Sequence, residues 1–224
     1  MYFSSYMIYI LPALLLSLYA QSKVKKAYEV YSRVYSQSNL TGADVARRML
    51  QNAGITDVSV GRVAGHLTDH YDPRKKQVNL SNDVFSGSTI ASFGIAAHEA
   101  GHVLQHYEGY GPIKLRNAIV PVVQLSSSAA IPLFFLGMLM NAGTFMTLGI
   151  WLFSGVVIFH LITLPVEFDA SKRAVSVLEG DNYMTQSEIH GVKKVLNAAA
   201  LTYVASAIMA AMQLLRLVAM SRRR

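Results

Sequence analysis

The chain contains no cysteine. Disulfides are therefore excluded, and with them any cysteine-ligated zinc site and any thiol nucleophile. Charge is scarce as well: 15% of the 224 residues are charged, against 52% that are hydrophobic. So few charges, in such an apolar chain, describe a membrane protein with a modest polar part. The charge that is present is mostly basic, giving a net +7. No nucleic-acid-binding module accompanies it, and nucleic acid is not an expected partner. The lysines and arginines flank apolar runs, where anionic headgroups and control of topology account for them. The chain also lacks internal repeats, low-complexity tracts and long disordered linkers.

What is present is four long apolar stretches, at about residues 3–20, 118–140, 144–166 and 198–220. A bilayer-spanning helix needs roughly 20 apolar residues, so each qualifies. Pro12, Pro121, Pro132 and Pro165 fall within or at the ends of these stretches, where membrane helices tolerate them. The first stretch has no basic residues before it, and Lys23, Lys25 and Lys26 follow it. It reads as an uncleaved anchor with its N-terminus outside and the following loop inside. Most of the lysines and arginines lie in 21–117, and Lys172, Arg173, Lys193 and Lys194 lie between the third and fourth stretches. The connection around Asn141 and Gly143 has none. The first and third loops are thus expected on the cytoplasmic side. Arg222, Arg223 and Arg224 run against that rule if the fourth stretch crosses fully, and Gln213 and Arg216 make that stretch the most polar of the four. The resulting division is an anchor (1–20), a cytoplasmic domain (21–117), a transmembrane hairpin (118–166), a cytoplasmic helix (167–197) and a C-terminal transmembrane helix (198–224).

Within 21–117, residues 23–35 mix lysines with Tyr28, Tyr31 and Tyr35, which suits a helix at headgroup level. Residues 41–53 read as a second helix, with Thr41 as its cap, Asp44 three residues on and Gly54 just past its end. Residues 58–63 and 77–80 alternate as short strands, and Asp72-Pro73 supplies a turn between them, so a short β-hairpin is expected. Ser81 or Ser88 is expected to start the next helix, and Gly109 and Gly111 to end it.

That next helix carries His98-Glu99-Ala100-Gly101-His102, an H-E-x-x-H pattern. Histidines four residues apart share a helix face, so both can reach one metal ion, and Glu99 can reach a water beside that ion. The plain alternative is two ordinary helix histidines next to a surface glutamate. The apolar run 91–97 argues against it, because a buried helix must find partners for two imidazoles and a carboxylate. A catalytic zinc usually takes three protein ligands and leaves one position open. The third ligand is expected right after the transmembrane hairpin. Glu167 lies at the end of an apolar helix, where an unpaired carboxylate is costly, and Asp169 is its competitor.

Other candidates are weaker. His66 and His70 are also four apart, but Gly65 and Asp72-Pro73 place them in a loop, where they orient a turn, support the site or help stabilise an oxyanion. His106 lies one turn beyond His102, and a rigid helix spreads the three histidines over about 12 Å, too far for one ion. His160 sits in the third apolar stretch, where a hydrogen bond to a neighbouring helix suffices for it. His190 is in the third loop. Arg173 pairs with a carboxylate, binds an oxyanion or simply faces solvent.

The H-E-x-x-H helix, the intervening transmembrane hairpin and the E-x-x-A stretch of Glu167, Phe168, Asp169 and Ala170 resemble the membrane-embedded gluzincins, including HtpX-like proteases and CAAX prenyl endopeptidases. Those carry an aspartate where this chain has Ser171. Three segments are similar to the YugP-like bacterial membrane zinc metallopeptidases: 65–73 around His66 and His70, 97–102, and 164–168. The resemblance covers essentially the whole chain. It implies a mainly α integral membrane protein with a small cytoplasmic zincin-like α+β metallopeptidase domain. It implies one Zn²⁺ per chain on His98, His102 and Glu167, in a bacterial cytoplasmic membrane. Glu99 is then the general base, and the partner is a membrane protein or membrane-proximal peptide, which the 77–80 strand is expected to hold by β-augmentation. The alternative is a non-catalytic zinc-binding membrane scaffold or stress adaptor, in which Glu99 has no task.

Overall fold

The computed structural model describes residues 6–38, 40–180 and 184–222. It is mainly helical. In chain order the elements are α1 (Leu11–Tyr31), α2 (Gly42–Asn52), β1 (Ser59–Val63), β2 (His70–Asp72), β3 (Gln77–Ser81), α3 (Asn82–Phe85), α4 (Ile90–Tyr107), α5 (Gly111–Leu139), α6 (Gly143–Gly180) and α7 (Gln186–Arg222). The chain forms two compact units. One comprises Met1–Gln21, Pro112–Pro165 and Leu201–Arg224, and the other Ser22–Gly111 and Val166–Ala200.

The first unit is the apolar one. Helices α5, α6 and α7 are long and apolar enough to cross a membrane. Large apolar side chains such as Leu125, Leu139 and Trp151 face outward, which is the pattern expected of helices whose solvent is lipid. Its interior packs Phe134 with Met146, Phe153, Leu217 and Met220. Helices in lipid gain no hydrophobic drive from associating, so close backbone approach has to supply the packing. Two glycines allow it here: a Cβ on Gly137 would lie 2.7 Å from the Met146 nitrogen, and one on Gly149 would lie 2.8 Å from the Ala130 carbonyl oxygen. Asn141 takes the tight turn between α5 and α6 in the left-handed region, at φ 56°, a conformation asparagine tolerates better than most residues. Pro121, Pro132 and Pro165 lie inside helices. The first apolar stretch begins at residues 3–5, which lie outside the described residues. From Leu11 on, that stretch continues into the lysine- and tyrosine-rich segment as a single helix, α1, which ends at Tyr31, while Tyr35 pairs with Thr89 in a β-bridge.

The second unit carries the sheet and the H-E-x-x-H helix. Thr41 caps α2 through a full capping box: its hydroxyl accepts from the Asp44 amide, and the Asp44 carboxylate accepts from the Thr41 amide at 3.0 Å. The sheet order is β1-β3-β2, with β1 and β3 parallel and β2 and β3 antiparallel. The sequence expectation fails here in two ways. Asp72-Pro73 turns β2 into β3 and does not link β1 to β3, because residues 70–72 form a strand of their own. Strand β3 lies in the middle with both edges paired, so it cannot accept a substrate strand; the open edges belong to β1 and β2. Helix α4 is capped by Thr89, whose hydroxyl accepts from the Ser92 amide, and not by Ser81 or Ser88. Ser81 instead precedes the one-turn helix α3. Phe93, Val78, Leu80, Met49, Leu178 and Ile189 fill the core that joins α2, the sheet, α4 and the 174–196 part of α6 and α7. Residues 167–197 are thus no separate helix: their first part continues α6 and their last part begins α7.

The capping box generates a stability prediction. The Thr41 hydroxyl and amide bonds are the main causes holding the Asp44 carboxyl below its ordinary value. A lowered folded-state pKa contributes stability above the unfolded pKa, and that stability is lost as the pH falls through the folded one. Asp44→Ala should therefore cost about 1 kcal/mol at neutral pH and progressively less in acid. Thermal unfolding of the detergent-solubilised protein across pH measures this; a pH-independent deficit would contradict it.

Candidate metal centre

Helix α4 runs with its apolar face in the core, so His98 and His102, one turn apart, are presented on a common side. Their rings sit edge to face with centroids 4.8 Å apart. Helix α6 brings Glu167 to them. One carboxylate oxygen, Oε2, lies 3.2 Å from His98 Nε2 and 3.6 Å from His102 Nε2. The close passage of α4 and α6 is permitted by Gly101, where an added Cβ would come within 2.6 Å of the Ala170 carbonyl oxygen. Sequence position alone shows Gly101 only as a spacer in the motif.

The cluster is shielded from water: Glu167 is 2% exposed and His102 7%. The candidate ligand atoms of His98, His102 and Glu167 all lie within 4.8 Å of one another. Two imidazole nitrogens and a carboxylate oxygen converging in this way suit Zn²⁺, with room for a further ligand. The electrostatics agree. Burial pushes the His102 imidazole toward its neutral form, but hydrogen bonding to Glu167 and the negative charges of Glu99 and Glu167 outweigh it, and its pKa stands above the ordinary histidine value. The site thus holds negative charge that a cation would neutralise. Glu99 is half-buried on α4.

The far nitrogens of the histidines are also engaged. His98 Nδ1 lies 3.1 Å from the Ser171 hydroxyl. His102 Nδ1 lies 3.0 Å from Gln105 Oε1. Gln105 was not among the sequence candidates. Its signal was a polar residue one turn beyond His102, on the face that also carries His98. Asp169 does not join the three-residue cluster. It accepts from Gln105 Nε2 at 2.8 Å and from Arg173 Nε at 2.5 Å. Arg173 also donates to Glu108 and lies over the Tyr110 ring, so it does not face solvent alone.

The remaining histidines go elsewhere. His66 is exposed in the β1–β2 loop, 3.6 Å from Asp83 and edge-on to Tyr28. His70 is not in a loop but opens β2, with Nδ1 2.8 Å from the Thr68 carbonyl oxygen. His106 meets the Tyr71 hydroxyl at 3.1 Å. His160 belongs to the apolar unit, and His190 is exposed on α7.

A membrane protein in which two histidines of an H-E-x-x-H helix meet a buried glutamate from a second helix is the class these features define. The chain belongs to the family described as "Putative neutral zinc metallopeptidase", which matches residues 6–222. It is 50% identical over 206 residues to the "Putative membrane protease YugP" of Bacillus subtilis (strain 168), covering 92% of each chain. No solved structure matches it.

The glycine contact can be tested directly. Gly101→Ala should force α4 and α6 apart and cost about 1–3 kcal/mol, as overpacking does. Thermal unfolding reads the loss, and an unchanged midpoint would show that the two helices do not depend on that contact.

Proposed function

We propose that this chain is a membrane-bound zinc endopeptidase of the H-E-x-x-H gluzincin type, cutting membrane or membrane-proximal proteins. The observation that carries this reading is the convergence of His98, His102 and Glu167, with Glu99 next to His98 on the same helix. In this reading His98, His102 and Glu167 hold one Zn²⁺ per chain. The ion, when bound, supplies a Lewis acid for the scissile carbonyl and makes a nearby water more acidic. Glu99 accepts the proton of the attacking water and returns it to the leaving amine. Glu167 stays ionised because two imidazoles crowd its oxygen. Asp169 and Arg173 support the histidine side of the site. His66 and His70, in contact with Asp83, Thr68 and Asn79, are given no part in holding the metal in this reading.

In this reading the chain lies in a bacterial cytoplasmic membrane with four spans, the first at about residues 3–20, and with the site on the cytoplasmic side. The basic residues of 21–117 and 172–194 support that orientation. A reporter fused within 21–117 should read as cytoplasmic and one at Asn141 as external. The opposite pattern would move the site to the outer face.

The enzyme reading is tested by comparing metal and cleavage in the same variants. Purified wild-type protein should hold about one zinc, the two-histidine-plus-carboxylate set being a catalytic one. His98→Ala, His102→Ala and Glu167→Ala should lose it, while Asp169→Ala keeps most of it. Glu99→Gln should keep its zinc and lose cleavage of a co-expressed membrane substrate by at least ~10²-fold. Undiminished cleavage in Glu99→Gln would refute the role given to this glutamate.

A further inference from the structure

Gln105 is completely buried, at 0% exposure. A buried amide needs partners for both its ends, because an unmet polar group there costs about as much as several good contacts supply. Three hydrogen-bond contacts meet both ends: His102 Nδ1 at Oε1, and the Val166 carbonyl oxygen at 2.7 Å and Asp169 Oδ2 at 2.8 Å from Nε2. The orientation of the amide follows from the partners. A backbone carbonyl and a carboxylate only accept, so both must face the NH₂ end. The oxygen end then faces His102, and since that oxygen only accepts, His102 Nδ1 must carry a proton. Nε2, the nitrogen near Glu167, is the one left to bind a metal.

The amide is itself held in place. Asp169 is gripped by Arg173, which also reaches Glu108. A continuous line of contacts therefore runs from Glu108 through Arg173, Asp169 and Gln105 to His102. His98 has no such support: its Nδ1 meets the Ser171 hydroxyl, a group that can donate or accept and so selects neither tautomer.

We infer that Gln105 is a positioning residue for the metal centre: it fixes His102 as the Nδ1–H tautomer and carries the influence of the Asp169 charge to it through a neutral amide. This deepens the zinc reading and rests on it. In many metal sites a carboxylate or carbonyl contacts the ligand histidine directly; here the carboxylate stands one amide further back. The rival explanation is that Gln105 merely fills space between α4 and α6. An apolar residue of similar size would then serve as well.

Zinc affinity of the purified full-length protein, measured by competition with a chromophoric chelator, separates the two. No substrate is required. Gln105→Leu should bind zinc about 10–100-fold more weakly than wild type, the usual cost of losing a ligand's supporting contact. Gln105→Glu should also bind more weakly, because it sets two carboxylates against each other at the Asp169 contact. The double variant Gln105→Glu/Asp169→Asn restores a donor facing an acceptor at that contact and keeps an acceptor for His102, while the Val166 carbonyl oxygen still loses its donor. It should recover part of what the single change lost, ~10-fold over Gln105→Glu. This swap serves even if Gln105→Leu fails to fold. Wild-type affinity in Gln105→Leu, or a double variant no tighter than Gln105→Glu alone, would overturn the inference while leaving the zinc site standing. A wild-type chain that binds no zinc would overturn the metal reading and this inference with it.

Discussion

A carboxylate taken out of water must be compensated, and Glu167 is the case on which the polar unit turns. It is buried with the Nε2 atoms of His98 and His102 around one of its oxygens. The cost of burying an unpaired carboxylate is several kcal/mol even after relaxation, so the two helices that supply these groups must stay in register. Gly101 against the Ala170 carbonyl sets how close they come. The Gln105 amide, bonded to the Val166 carbonyl one residue before Glu167, ties α4 to the turn of α6 that presents the ligand. Packing and polar pairing thus constrain the same small region, and each makes the other's geometry less negotiable.

The same economy appears at the edges of the unit. The capping box at Thr41 and Asp44 settles the start of α2, and Thr89 does the same for α4. Helix α7 is begun by a comparable device, in which the Glu188 carboxylate accepts from the Thr185 amide at 2.6 Å and also from the Gln37 amide at 2.8 Å. That last contact joins two segments about 150 residues apart in the chain. In the apolar unit, where no water competes, glycines take over the role that caps and ion pairs play elsewhere.

Much of the site was legible in the residues. Four-residue spacing on a helix puts His98 and His102 on one face whatever the rest of the chain does, because the helical period is local. The apolar run before them implied burial, and burial implied a partner. Glu167 was reachable by the cost of a charge at the end of an apolar helix, and it lies against both histidines while Asp169 does not. Gln105 was missed because its meaning is not periodic: a lone glutamine on a helix looks the same whether it faces solvent or a ligand's far nitrogen. The strand order was misread for a similar reason. Alternation marks 58–63 and 77–80 as strands, close to the observed Ser59–Val63 and Gln77–Ser81, but it carries no information on whether they pair directly, in which direction, or with a third strand of three residues between them.

The sequence by itself determined the membrane character, the helix bearing H-E-x-x-H, the α2 cap and the two histidines that converge, and it narrowed their partner to Glu167 or Asp169. Each of these follows from composition, from a local period or from the cost of burying a charge. The tertiary structure alone decided that β3 is central, that Asp169 serves Gln105, that Ser171 meets His98, and that His66 and His106 go to Asp83 and Tyr71. Those are contacts between segments distant along the chain. They depend on how close two helices or strands can approach, and that distance is set by side chains on both partners at once.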